Sequence, residues 1–414
     1  MSETQAAKSR SILIAGASIA GPALAFWLGR YGFEVTVVER APTVRSGGYP
    51  IDVRGTAICV VSQMGLLSQL QAAHIASREL KFVDAEGRVI AAIPPYDLTS
   101  NQGGHDVELP RGALTTLLYD FTKERPIRYR FNDSIETLED DGSGVEIRFR
   151  SGDRGRYDVV VGADGLHSRT RRLVFGPEER FNHYLGYCFN IFSMPNDMGV
   201  SHGGVNYCES WRTAGAYAVR NSTEVFAFLM FASDDPPLDA HPDVEEQYKR
   251  TAAVFADGGW EVPRLLEAMR NAKDLYFDTV SQIRMPAWSS GRVALVGDAA
   301  FAPSFRSGQG TSLALVGAYV LAGELASHDQ PAEAFAAYER IVRPFVEANQ
   351  ALAIEGNGFI LLPRTPQEVE ARNQILATLA TRERGGVRND HARQAHSMLS
   401  LPDYAQWFRQ EDWK

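Results

Sequence analysis

The chain has 414 residues, 44% of them hydrophobic, with 42 Lys and Arg against 51 Asp and Glu, a formal net charge of −9. That length suggests two or three domains with sizeable cores, and the acidic balance argues against a polyanionic partner such as nucleic acid. Cys59, Cys188 and Cys208 are odd in number and lack metal-ligand spacing, which points to a reduced, cytoplasmic protein with no metal site.

The first element to interpret is "ILIAGASIAGPALAFWLGRYG", residues 12–32, with Lys8 and Arg10 just upstream. A basic lead before an apolar core suits a secretory signal, and a membrane helix needs about 20 apolar residues in a row. The internal order fits neither. Ser11 to Ala15 reads as a buried strand, Gly16 and Gly21 flank a turn, and Leu24, Ala25, Leu28 and Gly29 recur at helical spacing. Pro22 falls in the first turn of that helix, where a missing N–H does no harm. A second strand, "FEVTVVER", ends at Glu39 and Arg40. An acidic residue about 20 positions after the glycine turn is where a ribose hydroxyl is bound. The turn itself is "GASIAG", with Ser18 where the dinucleotide fingerprint has its second glycine. The backbone of Gly16, Ser18, Ile19, Ala20 and Gly21 would still face a pyrophosphate at the helix N-terminus. Beyond residue 32 there is no membrane span, long repeat or low-complexity tract.

Further along, "YDVVVGADGLHSRTRR" reads as a strand from Tyr157 to Val161, a tight turn at Asp164-Gly165 and a helix from near Ser168. Arg169, Arg171 and Arg172 read either as a solvated helix face or as a lure for the phosphates of a passing nicotinamide cofactor. From His183 to Met230 apolar and polar residues alternate, broken by Gly and Asn, as in an antiparallel sheet. One face of it would hold a flat, apolar ligand, and Asn190, Tyr207, Arg212 and Phe228 are its candidate contacts. Several of its phenylalanines are expected to be plain core. Residues 242–271 read as helical, and "LYFDTVSQIRM" as a strand. In "GRVALVGDAAFAPSFRSGQGTSLALVGAYVLAGEL", a buried strand from Val293 to Val296 stops at Gly297-Asp298. Pro303 stiffens the following loop and Gly308 and Gly310 free it. Phe305 is a further candidate contact, and a long apolar helix opens at Thr311, whose N-terminus favours negative charge. A helix follows over about 332–348, and the tail from 349 to 414 has a helical centre.

The motifs "GASIAG", "GADGLHSRTR" and "VGDAAFAPSFRSGQG", in that order, resemble those of the single-component FAD-dependent monooxygenases of the aromatic-hydroxylase type. "GGYPIDVRG" and "ELPRGAL" look closest to the tetracycline-inactivating monooxygenases and related natural-product enzymes. The resemblance covers about residues 10–345. It implies an α/β fold: a discontinuous Rossmann-like FAD-binding domain (1–180 and 275–348), an antiparallel-sheet substrate domain (181–274) and a C-terminal helical segment (349–414). It assigns Glu39 to the adenosine ribose, Asp298 to the ribityl chain, Arg111 to the FAD linker and Arg45 to the nicotinamide cofactor. It puts Asp52 near the flavin, with Arg40, Asp164, Pro303, Gly308, Gly310 and Thr311 completing the cofactor set. It further implies that NADPH or NADH reduces the flavin, that O₂ forms a flavin hydroperoxide, and that one oxygen passes to an aromatic or polyketide-like small molecule. The cofactor carries that chemistry, so no catalytic side chain is assigned.

Three positions depart from the family pattern: Phe301 stands for His after "GDAA", and Ser312 and Gly317 replace Asn and Asp. Two alternatives stay open: a Baeyer–Villiger-type insertion, which uses the same flavin peroxide, and a non-redox cyclase or binding protein that keeps FAD as a scaffold, which the departures at Ser312 and Gly317 leave open. Nicotinamide consumption separates the second. The sequence leaves substrate identity and oligomeric state open.

Overall fold

The structure, a computed structural model, describes residues 10–45, 47–75, 77–95, 106–219, 222–234, 243–354, 360–381 and 390–409. The apolar runs read as buried strands do form one sheet. Its order is Ser289–Ser290, Val293–Leu295, Val159–Gly162, Ser11–Ala15, Glu34–Val38 and Ile127–Arg130. All neighbours are parallel except the short edge strand Ser289–Ser290. Parallel strands covered on both faces must be apolar throughout, which is why "ILIA" and "VVV" show no alternation. Residues 12–32 are thus a core strand and the helix Ala20–Arg30, buried from Ala20 to Gly29. The helix Gly310–Ser327 packs beside it. It is long and apolar enough to cross a membrane, but 83% of it is buried inside the protein.

The alternating segments build a second sheet of seven strands. Its order is Tyr276–Ile283, Asn182–Pro195, Glu224–Ala232, Arg212–Ala218, Gly203–Glu209, Glu79–Val83 and Val89–Ile93. Three of these strands, Glu79–Val83, Val89–Ile93 and Tyr276–Ile283, lie in stretches that the sequence assigned to the dinucleotide-binding unit. Alternation reveals a half-buried strand but not its partner, and here Glu79–Val83 pairs in parallel with Gly203–Glu209 across more than a hundred residues. The helices Val244–Val254 and Val262–Asn271 cover one face of this sheet, in a core with Phe192, Leu229 and Phe231. The other face looks toward the loop before Gly310, where Phe305 joins Tyr187, Phe189 and Met230. The expected helix over 332–348 runs over Pro331–Ala351. The tail adds the helices Pro366–Thr381 and Asp390–Ser397.

Candidate active site

The glycine turn is shaped by contact. A Cβ on Gly21 would lie 1.9 Å from the Gly16 carbonyl oxygen, and one on Gly16, at φ +108°, would lie 2.4 Å from that of Ala163. Only bare backbone fits where the first strand, the first helix and the strand Val159–Gly162 converge. Ile19 caps the helix without a side-chain hydrogen bond, and its first turn from Ala20 holds no acidic residue. Such an N-terminus is disposed toward an anion. The Ser18 hydroxyl does not stand idle, since it accepts a hydrogen bond from Arg111 Nη2 at 3.2 Å. Arg111 opens the helix Arg111–Lys123, and its own N–H donates to the Tyr49 carbonyl at 3.2 Å.

Glu39 spans the mouth of the turn. Its Oε2 accepts from the Ala17 N–H and its Oε1 from the Ala41 N–H, both at 2.9 Å. Arg40 and Arg45 are exposed beside it. Crowding by protein, then by Arg40 and Arg111, lowers the Arg45 pKa. Three guanidiniums and one carboxylate therefore gather at the glycine turn.

On the opposite wall, Asp298 opens the short helix Asp298–Phe301. Its side chain is exposed, yet desolvation raises its pKa, against the pull of Arg111 and with Asp278 adding to the rise. A group that is reachable and still surrounded by protein lines a cleft. Tyr276 has the same character: it is 38% exposed, and burial raises its phenol pKa well above the ordinary value. Asp52 ion-pairs with the buried Arg54 at 2.8 Å, and a Cβ on Gly308 would come within 3.5 Å of Asp52 Oδ2. The Pro303 carbonyl is held from behind by Gln282 Nε2 at 3.1 Å, and that of Ala302 by Gln350 Nε2 at 3.2 Å. Gly310 and Thr311 start the long helix with no capping side chain and no acid in the first turn. The donor set fits a flavin dinucleotide: a glycine turn for the pyrophosphate, Glu39 for a ribose, Arg111 between the halves and Asp298 for the polyol.

Asp164 plays a different part. Its carboxylate accepts from the Ser168 hydroxyl and from the Thr170 N–H and hydroxyl at 2.9 and 3.0 Å, so both oxygens are taken up by the turn. Ser168 caps the helix Arg169–Phe175 as expected, accepting from the Arg171 N–H. Arg171, read as surface or as a phosphate lure, is fully buried. It donates to the Ala299 carbonyl at 2.9 Å and pairs with Glu178 at 2.7 Å, tying the second motif to the third. Arg169 and Arg172 are exposed.

Next to Arg171, both ring nitrogens of His167 face carboxylates, Nδ1 to Glu178 at 2.8 Å and Nε2 to Asp278 at 3.2 Å. Burial opposes its charge, but hydrogen bonds and charge from Asp278 and Glu178 outweigh it and raise the pKa to about 9. A folded pKa above the usual 6.5 stabilises the fold fully below 6.5, and the gain is lost as pH rises through about 9. The thermal midpoint should therefore fall between pH 7 and 10 by a component that His167→Gln lacks. Identical profiles for the two proteins in a pH-dependent melting series would contradict the bridged imidazolium.

Four of the five proposed ligand contacts lie on the sheet and divide by strand parity, and Phe305 lies in the turn before Gly310. Phe228 and Phe305 flank the cleft side; the Phe305 ring lies 4.8 Å from Phe189, and Phe228 lies over Gly215. Asn190, Tyr207 and Arg212 do not reach that side. Asn190 is fully buried and donates to Thr251 Oγ1 at 2.8 Å. Tyr207 packs on Trp260, with ring centroids 6.2 Å apart. Arg212 pairs with Glu209 and Asp257. One residue along a strand changes face, so their neighbours Phe189 and Cys208 look the other way. The tail also reaches this side, which the sequence did not indicate. Leu362 packs on Tyr187, Phe189 and Met230, and the Leu361 carbonyl accepts from Thr213 Oγ1.

The departures at 301, 312 and 317 are structural. Phe301 is 1% exposed against Trp288, and a Cβ on Gly317 would come within 3.0 Å of its ring. The glycine makes room for the phenylalanine. Ser312 Oγ accepts from the Arg54 N–H at 3.1 Å.

Residues 9–353 match the model of the FAD binding domain family. An uncharacterized protein of Mycobacterium tuberculosis (strain ATCC 25618 / H37Rv) is 45% identical over 350 residues, covering 83% of this chain and 92% of its own length. A flavin-dependent monooxygenase of Legionella longbeachae serogroup 1 (strain NSW150) is 35% identical over 383 residues, covering 91% of this chain and 97% of its own. Among solved structures, tetracycline destructase Tet(55) superposes with a TM-score of 0.81 at 36% identity, over 96% of this chain and 99% of that one.

Proposed function

The chain belongs to the FAD-binding-domain family of flavin-dependent monooxygenases, and on that premise we propose that it takes electrons from NADPH or NADH and transfers one oxygen atom of O₂ to an aromatic or polyketide-like small molecule. The observation that carries this reading is the cleft itself. The aromatic sheet face with Phe189, Phe228 and Met230 meets Phe305 of the loop before Gly310, and Arg45 and Arg111 lie within electrostatic reach of Tyr276 at its edge. Bound FAD supplies the redox chemistry that passes electrons to O₂.

The chain's own residues do the rest. The turn from Gly16 to Gly21, Glu39, Arg111 and Asp298 bind and orient the dinucleotide. The Arg45 and Arg40 guanidiniums attract the phosphates of a nicotinamide donor. The partly exposed Phe228 and Phe305 stack on a flat substrate, and the buried Phe189 and Leu362 behind them exclude water, so the oxygen-transfer step is shielded. All three cysteines are free thiols, in keeping with work in a reducing cytoplasm.

Oxidation of NADPH should be slow in the holoenzyme alone and rise at least about 10-fold with a true substrate, equivalent to ~1.4 kcal/mol off the barrier. Stopped-flow and steady-state absorbance at the nicotinamide band read this directly. Product formation at an undiminished rate without any nicotinamide would point to the scaffold chemistry instead.

A further inference from the structure

We propose that Tyr276 is a substrate-binding residue that offers the cleft a hydrogen-bond acceptor and no donor, so that the site selects a planar ligand bearing a hydroxyl or N–H at that edge. This rests on the monooxygenase reading for taking the cleft as the substrate's. Tyr276 opens the edge strand Tyr276–Ile283. Its ring lies 5.9 Å from that of Phe189, which in turn packs on Phe305. Phe189 is only 6% exposed, whereas Tyr276 is 38% exposed, so a ligand at this edge of the sheet meets the phenol.

A tyrosine hydroxyl has one proton to donate and lone pairs that accept. Here the proton is committed, because Tyr276 donates to Asp278 Oδ2. Asp278 is 5% exposed, and its other oxygen accepts from the Thr279 N–H at 2.7 Å and from His167 Nε2. His167 leans on Glu178, and Glu178 on the fully buried Arg171. Two cations and two carboxylates thus alternate from the protein interior to the cleft. That alternation compensates each buried charge, which is the condition under which buried ions persist. Because the phenol's proton lies on the hydrogen bond to Asp278 Oδ2, it is turned away from the cleft. What remains for a ligand is a lone pair, which welcomes a hydroxyl or an N–H and repels a carbonyl or ether oxygen. Asp278 and His167 are positioning residues in this scheme, since neither touches the ligand. An alternative in which Tyr276 merely caps Asp278 makes no difference between ligands.

The test is calorimetric titration of the oxidised holoenzyme, without nicotinamide, with 2-naphthol, 2-naphthylamine and 2-methoxynaphthalene. The alcohol and the amine should bind at least about 10-fold tighter than the ether, ~1.4 kcal/mol. In Tyr276→Phe that preference should fall below about 2-fold, with ether affinity and flavin content as in the unaltered protein. Equal affinities in the unaltered protein, no binding of any probe, a preference that survives in Tyr276→Phe, or loss of flavin from that variant would each overturn the proposal. Because no turnover is involved, the outcome stands apart from the oxygenase reading: a protein with the preference and no oxygen transfer would overturn that reading and keep this one.

Discussion

Gly21→Ala is expected to abolish flavin retention and to cost about 3 kcal/mol or more of stability, the upper range for forcing atoms into a packed site. In an exposed helix the same change helps, since alanine is favoured over glycine by about 1 kcal/mol. The sign reverses here because the new methyl would lie 1.9 Å from the Gly16 carbonyl oxygen, which is backbone and has nowhere to go. Relief requires the first helix to move off the first strand, and that opens the turn that the pyrophosphate needs. Gly65→Ala is the control. A Cβ there, at φ +79°, would meet nothing within 4 Å, so the change should cost only the conformational penalty of roughly 1 kcal/mol and leave flavin content untouched. Denaturant unfolding and the flavin-to-protein absorbance ratio read both. A fully flavinated, stable Gly21→Ala protein would mean that helix and strand do not cross as closely as described.

Glu39→Ala should lower FAD affinity by about 10- to 100-fold while the chain stays folded. Charge-assisted hydrogen bonds contribute about 1.5–3 kcal/mol each, and each ~1.4 kcal/mol is a factor of ten in affinity. Two effects combine. The carboxylate is expected to hold the adenosine ribose, and it also fixes the turn by accepting from the Ala17 and Ala41 N–H groups. Glu39→Gln keeps one carbonyl oxygen of the two and should fall between. Equilibrium dialysis of the apoprotein against FAD ranks the three proteins, and equal affinities would detach Glu39 from the cofactor.

The parallel sheet was legible in the sequence because its strands carry their own signature. Ser11–Ala15 is apolar at nearly every position, and glycines sit where the backbone must turn or touch. Local capping was legible too, as with Ser168. What escaped depends on contacts between distant residues. Nothing near Glu79–Val83 says that it joins Gly203–Glu209. Alternation around Asn190 and Tyr207 announces a strand without saying which parity faces the cleft. Arg171 looks like surface until Glu178 and Ala299 are brought to it. His167 meets Asp278 across 111 residues. The departures at Phe301 and Gly317 looked like damage to a motif, and their meaning as a fitted pair appears only in three dimensions.

The central claim, that this cleft transfers oxygen from O₂ to a small molecule, is tested most directly by isotope. The holoenzyme is given NADPH, ¹⁸O₂ and a ligand that stimulates nicotinamide oxidation, and the product is weighed by mass spectrometry. The account predicts one ¹⁸O atom per product molecule, with the other recovered in water and no product under anaerobic conditions. Product that carries no ¹⁸O, or that forms at the same rate without O₂, would contradict it.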